Sequence, residues 1–240
     1  DINNASDRHW ALFSHPNMES YLYQGVTTVI GGNCGSSLAP LTTGNVIASI
    51  QKWADIKQIN VNWLTLSDFF AEIKRKKLLL NFGTLVGHAT LRRGIVGDEF
   101  RELTEQELAQ MKHILAEALT EGALGFSTGL VYSHAKVATI NEITSLVSLL
   151  NQGKIYSSHL RDEEGKLYES VLEAIDAAKK TKTNIEISHL KSVGKENWSL
   201  FDKSLEAIEK AAEEGININY DIYPYTSTAT VFYTILPDWI

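Results

Sequence analysis

The sequence predicts an α/β fold with a parallel sheet, and the first reason is a recurrence of short apolar stretches. Six stretches rich in Val, Ile, Leu, Phe or Tyr alternate with amphipathic segments; they span residues 25–31, 79–87, 123–130, 154–160, 184–191 and 216–223. The last four begin about 31 residues apart, which is the length of one strand, one helix and the crossover that parallel strands require. Such alternation is typical of α/β folds.

The second reason is that reactive side chains follow the ends of these predicted strands. They are Cys34, His88, Ser127, Tyr132, His159, His189, Lys191, Asp221 and Tyr223. Functional groups at the C-terminal ends of many strands are typical of a TIM-like (β/α) barrel, whereas an open doubly wound sheet binds its ligand at one switch point. No glycine-rich dinucleotide or P-loop motif follows any strand. We predict a partial barrel over residues 1–240, with a helical insertion at about 43–77.

Helix signals lie between the predicted strands. Thr104 with Glu107, and Thr139 with Glu142, have the spacing of capping boxes, in which a hydroxyl and a carboxylate bond the first free backbone N–H groups. Glycine favours the left-handed conformation that ends a helix. We expect this role for Gly122, Gly153 and Gly215.

Composition excludes several classes of partner. The net charge is −7 at pH 7, and the compact basic run at residues 74–77 resembles a solvated helix end, which argues against a nucleic-acid groove. One cysteine cannot form an internal disulfide, and residues 1–7 lack the features of a signal peptide, so we predict a cytoplasmic protein. No apolar run approaches the roughly 20 residues that cross a bilayer, so we predict no membrane partner.

Three strand ends offer candidate metal ligands. Cys34 is the only cysteine, and His159 and His189 each follow a serine at the end of a β-rich run. A thiolate and two imidazoles are good zinc ligands, and three protein ligands leave the open position of a catalytic site. The alternative stays open, because a lone cysteine is commonly a small buried apolar residue and a strand-end histidine a packing residue.

The side-chain period of a strand predicts which residues face the barrel interior. In the fifth stretch, Ile185, Ile187, His189 and Lys191 share one face, and in the fourth, Ile155, Ser157, His159 and Arg161 do so. We expect these faces to point inward. Glu186 and Ser188 would then face the helix layer.

Six segments together resemble the N-acyl-D-amino-acid deacylases, the D-aminoacylase branch of the amidohydrolase superfamily. They are QGVTTVIGGNCGSSLAP, GHATLR, EGALGFSTGLVY, SSHLRDE, EISHLK and YDIYPYTS, and the resemblance runs from residue 1 to about 236. It implies an amidohydrolase barrel. The implied reaction is metal-dependent hydrolysis of N-acyl-D-amino acids, small-molecule substrates, to a carboxylate and a free D-amino acid.

The resemblance also implies roles for individual residues. Cys34, His159 and His189 match the ligands of one zinc ion, which would provide a nucleophilic hydroxide near neutral pH. Hydrogen bonds to the developing oxyanion or the substrate carboxylate are implied for Tyr132, Lys191 and Tyr223. The role of His88 stays open, and His134 is expected in an exposed loop.

Two departures from the family pattern lead to further expectations. Asn3 and Ala5 replace the two histidines that end strand 1 in the superfamily, so we do not expect a second metal ion. The family's general acid/base is an aspartate after strand 8, and Asp238 lies in the wrong unit to replace it. With strand 1 truncated and strand 8 missing, we expect an inactive piece of a hydrolase that self-associates through open sheet edges.

Two other functions remain as alternatives. A non-catalytic barrel fragment would act as a binding or assembly module. A metal-free lyase or aldolase would use Lys191 as a Schiff-base nucleophile.

Overall fold

A computed structural model describes residues 2–3, 11–43, 46, 61–151, 153–228, 230 and 234. Its strands are β1 (Ile2–Asn3), β2 (Thr28–Gly31), β3 (Asn81–Thr84), β4 (Val86–Gly87), β5 (Gly125–Gly129), β6 (Ile155–His159), β7 (Asn184–Ile187) and β8 (Ile218–Tyr220). Its α-helices are α1 (Ala11–Ser14), α2 (Glu19–Leu22), α3 (Leu66–Lys76), α4 (His88–Val96), α5 (Glu105–Thr120), α6 (Ser133–Lys136), α7 (Ile140–Val147), α8 (Leu167–Thr181) and α9 (Trp198–Glu213).

The strands form two parallel sheets in sequential order. One sheet has the order β1-β2-β3 and the other the order β4-β5-β6-β7-β8. Only Leu85 separates β3 from β4, and the N–H of Leu124, just before β5, donates to the carbonyl of Thr84 at 2.9 Å. Residues 81–87 therefore act as one barrel strand that contributes to both sheets. The predicted α/β fold with parallel strands is confirmed, and each predicted stretch contains an observed strand.

Side chains from β5, β6 and β7 form the apolar layer between the sheet and the helices. Phe126, Tyr156 and Ile185 lie side by side across the three strands, and all three are fully buried. Helix α8 contributes Val171 and Ala178 to the same core. Burying one large apolar side chain stabilises a fold by about 1.5–3 kcal/mol, so this layer fixes the strands whose ends carry the candidate ligands.

The prediction that Ile185 and Ile187 of β7 face the barrel interior is wrong. Ile185 and Ile187 are fully buried in the apolar core, whereas the hydroxyl of Ser188 lies 2.9 Å from that of Ser157 on β6. The two-residue period fails because β7 ends at Ile187 and His189 adopts a left-handed φ of 41°. This turn changes the direction of the following side chains, so His189 does not share the face of the two isoleucines.

One of the two predicted capping boxes is complete. Thr104 and Glu107 bond each other's backbone N–H groups at the start of α5. At α7 the Thr139 hydroxyl accepts from the N–H of Glu142. The Glu142 carboxylate, however, turns into the interior, where it pairs with two buried side chains described below. The second prediction is therefore half right.

Two of the three predicted helix-ending glycines follow a helix directly. Gly122 and Gly215 have φ values of 113° and 91°, immediately after the C-caps of α5 and α9. Gly153 has a φ of 88°, but α7 already ends at Val147. Gly153 therefore shapes the connection to β6 and does not end the helix.

The predicted helical insertion is only partly described. Its described part contains α3, which begins with a capping box at Thr65 and ends in the exposed basic run predicted as a helix end. Trp63 is buried and its indole N–H donates to the carbonyl of Leu38 at 2.7 Å. Residues 44–45 and 47–60, including Trp53, lie outside the described residues. None of the helices in the described ranges is both long and apolar enough to span a bilayer.

Candidate metal centre

The loop after β2 presents the only cysteine in a left-handed conformation. Cys34 is buried and has a φ of 53°, with Gly32 and Gly35 on either side at 79° and 75°. A Cβ atom at Gly129 of β5 would lie 2.3 Å from the carbonyl oxygen of Cys34. Because the two backbones touch here, glycine is required at this point of β5, and the loop is pressed against the strand.

A buried hydroxyl braces this loop. The Ser127 Oγ donates to the carbonyl of Gly32 and accepts from the N–H of Gly35 at 3.1 Å. The hydroxyl of Ser157 donates to the Asn33 side chain at 3.2 Å. The inner face of β5 and β6 therefore fixes both sides of the cysteine.

Two imidazoles meet the thiol at the carboxyl ends of the strands. His159 is the last residue of β6, and His189 follows β7. The Cys34 Sγ lies 3.5 Å from Nε2 of His189, and the two histidine rings have centroids 4.3 Å apart. One ligand atom from each of these three residues lies within 4.8 Å of the others. Ligands about 2.0–2.3 Å from a tetrahedral zinc ion are separated by roughly 3.3–3.8 Å, so a small contraction would fit one ion.

A carboxylate that the sequence did not single out lies against these ligands. The Glu163 Oε1 lies 2.5 Å from Nζ of Lys191, 3.1 Å from Nδ1 of His189 and 3.8 Å from Nε2 of His159. Only 13% of the Glu163 side chain is exposed. In the sequence, Glu163 is marked only by its position four residues after His159. Carboxylates in loops are too common for this spacing to predict a role at the site.

The carboxylate and the imidazole perturb each other's titration. Burial alone would raise the pKa of Glu163, but the hydrogen bond from His189 and the positive charges of His159 and Lys191 lower it to about 2. Burial likewise opposes protonation of His189, but hydrogen bonds to Cys34 and Glu163 raise its pKa to about 9. The buried carboxylate therefore favours a proton on the His189 ring, and the ring favours a negative charge on Glu163.

The three predicted substrate-binding residues surround this cluster. The Tyr132 ring lies 5.0 Å from the His159 ring, measured between centroids. The Lys191 ammonium lies 5.7 Å from the centre of the Tyr223 ring. The structure therefore brings Tyr132, Lys191 and Tyr223 to the side of the candidate ligands.

The end of β8 holds the backbone of His189. The Asp221 carboxylate accepts from the His189 backbone N–H at 2.6 Å, and the backbone carbonyl of Asp221 accepts from the Leu190 N–H at 2.8 Å.

Glu186 lies directly opposite Ser157 in the sheet register, on the face that Ser188 also shares. Burial first, and then the charge of Asp221, raise the pKa of Glu186 to about 7.

His88 lies in a separate buried cluster. Its Nε2 lies 2.7 Å from Oε1 of Glu142, whose two oxygens also accept from Arg92 at 2.7 and 2.6 Å. All three side chains are buried. Burial lowers the pKa of His88, so the ion pair is between Arg92 and Glu142. This cluster ties α4 to α7.

The expectation of an exposed His134 is wrong. His134 lies in α6 and is buried, with its ring stacked on Phe100 at 5.2 Å between centroids and its Nε2 3.6 Å from Asp98. The short helix turns the side chain under residues 98–100. Of the two residues that replace the usual strand-1 histidines, Asn3 lies in β1 opposite Ile30, and Ala5 lies outside the described residues, as does Asp238.

Known proteins resemble this chain over most of its length, although no protein-family model matches it. The N-acyl-D-aspartate deacylase of Alcaligenes xylosoxydans xylosoxydans is 33% identical over 222 residues, which are 92% of this chain and 44% of that protein. The crystal structure of D-aminoacylase, described as defining a novel subset of amidohydrolases, has a TM-score of 0.81 at 32% identity and covers 93% of this chain. Over these residues the chain is similar to the N-acyl-D-amino-acid deacylases in both sequence and structure.

The match to solved deacylase structures assigns the fold to the TIM-barrel type. The N-acyl-D-glutamate deacylase of Bordetella bronchiseptica, solved with zinc and a phosphonate inhibitor, has a TM-score of 0.82 at 30% identity and covers 93% of this chain. The match covers 46% of each of these two solved deacylase chains. The chain therefore spans less than half the length of the deacylases that it matches.

Proposed function

We propose that Cys34, His159 and His189 hold one zinc ion, and that this centre hydrolyses N-acyl-D-amino acids to a carboxylate and a free D-amino acid. The convergence of three ligand atoms within 4.8 Å, from three different strand ends, carries the proposal. We propose one ion because alanine at position 5 offers no donor atom and the neutral amide of Asn3 is a poor zinc ligand.

The chemistry of the donor set fits zinc at an open, catalytic coordination site. When bound, zinc lowers the pKa of a water molecule to about 7 and polarises a carbonyl group. Side chains around the site would bind and orient the substrate. Lys191 and the hydroxyls of Tyr132 and Tyr223 would donate hydrogen bonds to the substrate carboxylate or to the oxygen on which negative charge develops.

A second part of the proposal concerns the rate at which this chain hydrolyses its substrate. The carboxylate next to the candidate ligands, Glu163, is engaged by Lys191 and His189, so it is poorly placed to move protons for the substrate. Loss of a positioned proton-transfer group costs about 10²–10⁴-fold in rate. We therefore expect the 240-residue polypeptide to turn over its substrate slowly or not at all.

The experiment is a long-incubation assay of the zinc-loaded chain with paired N-acetyl-D- and N-acetyl-L-amino acids, including aspartate and glutamate. Slow hydrolysis of the D form that disappears in Cys34→Ala would support the proposal. Equal hydrolysis of both enantiomers, or activity that survives in Cys34→Ala, would contradict it. A rate typical of enzymes, about 10 s⁻¹, would contradict the expectation of slow turnover.

The alternative of a binding module has its own outcome in this assay. Zinc-dependent binding of N-acetyl-D-amino acids, measured by calorimetry, with no product after long incubation would favour it. The alternative of a Schiff-base enzyme loses support, because the Lys191 ammonium is held in an ion pair with Glu163 and has no lone pair to attack a carbonyl.

A further inference from the structure

The Nδ1 atom of His189 has two competing neighbours. The Glu163 Oε1 and the Lys191 Nζ both lie 3.1 Å from it. A ring nitrogen that carries a proton can donate only to the carboxylate, and one that carries none can accept only from the ammonium. The two neighbours therefore favour opposite protonation states of the same atom.

Only one of these states suits a metal ligand. The other ring nitrogen, Nε2, faces the Cys34 thiol at 3.5 Å, so it must offer its lone pair if His189 is to bind an ion beside Cys34. The proton must then lie on Nδ1, where Glu163 can accept it. A hydrogen bond from Lys191 to Nδ1 would instead leave the proton on Nε2 and block metal binding.

The carboxylate also holds the competing ammonium. The Glu163 Oε1 lies 2.5 Å from Nζ of Lys191, closer than that Nζ lies to the ring nitrogen. Both side chains are largely shielded from water, with 13% and 18% of their surface exposed. In such surroundings an ion pair is strong, and an ammonium that loses its carboxylate is left with two acceptors on His189, the ring atom Nδ1 at 3.1 Å and the backbone carbonyl at 3.3 Å. The nearest one is Nδ1.

We infer that Glu163 is a positioning residue that selects the metal-binding tautomer of His189 and directs Lys191 away from it, toward the substrate. The inference rests on the proposed zinc site and on the proposed role of Lys191. Through this one carboxylate, metal binding and substrate binding are coupled.

The test is a double-mutant cycle on zinc affinity, measured by competition with a chromogenic chelator. Outer-shell partners of a metal-binding histidine are worth about 10–100-fold in affinity, so Glu163→Met should weaken zinc binding by that factor. Lys191→Met alone should leave the affinity within about threefold. In the double variant the loss should be clearly smaller than in Glu163→Met, because no ammonium then competes for Nδ1.

Two controls keep the result interpretable. Glu164→Gln removes the neighbouring exposed carboxylate and should not change zinc affinity. Glu163→Gln keeps an acceptor for Nδ1 without the charge, so it should lose less zinc affinity than Glu163→Met. Circular dichroism should show that both Glu163 variants are folded. At saturating Co²⁺, the thiolate-to-metal absorption band should persist in Glu163→Met, since Glu163 is not itself a ligand.

The outcomes separate this inference from the proposed function. A wild-type chain that binds no zinc would contradict the proposed metal site. Zinc binding by the wild type with an unchanged affinity in Glu163→Met, or with the same loss whether or not Lys191 is present, would overturn the inference alone.

Discussion

The thiol of Cys34 lies 3.5 Å from Nε2 of His189, although 155 positions separate the two residues in the chain. Both residues have left-handed backbone conformations, with φ values of 53° and 41°. Such conformations cost a residue other than glycine about 1–3 kcal/mol and persist only where the surroundings fix them. Ser127 and Asp221 supply the fixing bonds, so the proposed metal centre depends on residues that need not touch an ion.

Ser127→Ala should weaken zinc binding by about tenfold or more, since it removes the hydroxyl that joins both ends of the cysteine loop. Thr128→Val is the matched control. Thr128 is equally buried, but its hydroxyl lies 3.0 Å from that of Tyr156, away from the loop. Zinc affinity is measured by chelator competition. Equal zinc affinities in the two variants would show that the bonds from the Ser127 hydroxyl to the cysteine loop do not affect zinc binding.

Glu142→Ala should destabilise the fold by about 3–5 kcal/mol, because it leaves the buried guanidinium of Arg92 without its anion. Urea unfolding followed by circular dichroism measures this change. Glu105→Ala, at an exposed position in the first turn of α5, should cost under about 1 kcal/mol. A loss of similar size in both variants would contradict the view that the buried pair holds α4 to α7.

Glu186→Gln should flatten part of the pH dependence of stability. Because the pKa of Glu186 is raised to about 7 from its ordinary value of 4.5, the folded protein binds a proton in that interval that the unfolded chain has released. The free energy of unfolding of the wild type therefore falls as the pH rises through this interval. Above it, the full cost of the charged carboxylate beside Asp221 is present, so the variant gains relative to the wild type.

Urea unfolding at about pH 5 and about pH 8 compares the two proteins. The difference in stability between Glu186→Gln and the wild type should move in favour of the variant at the higher pH. Glu206→Gln, on the exposed side of α9, should show no such trend. A difference that stays constant between the two pH values would mean that Glu186 titrates normally.

The alternation of apolar stretches predicted the fold, because each stretch is long enough to form a buried parallel strand. The strand-end positions of Cys34, His159 and His189 likewise predicted which side chains meet. The direction of His189 could not be derived from a two-residue period, since a left-handed turn interrupts that period after Ile187.

Other features depend on tertiary contacts that local sequence does not encode. Glu142 has the spacing of a capping carboxylate, yet a buried arginine on another helix attracts it. Glu163 gains its place from two residues in the next strand unit. The single domain over residues 1–240, the cytoplasmic location and self-association through sheet edges stay predictions.

The metal content of the purified chain tests the central claim most directly. After reconstitution with zinc and removal of excess ion, elemental mass spectrometry should find about one zinc per wild-type chain. The Cys34→Ala variant should retain almost none, while Thr128→Val retains the wild-type amount. No zinc in the wild-type chain, or an unchanged amount in Cys34→Ala, would contradict the assignment of Cys34, His159 and His189 as a zinc site.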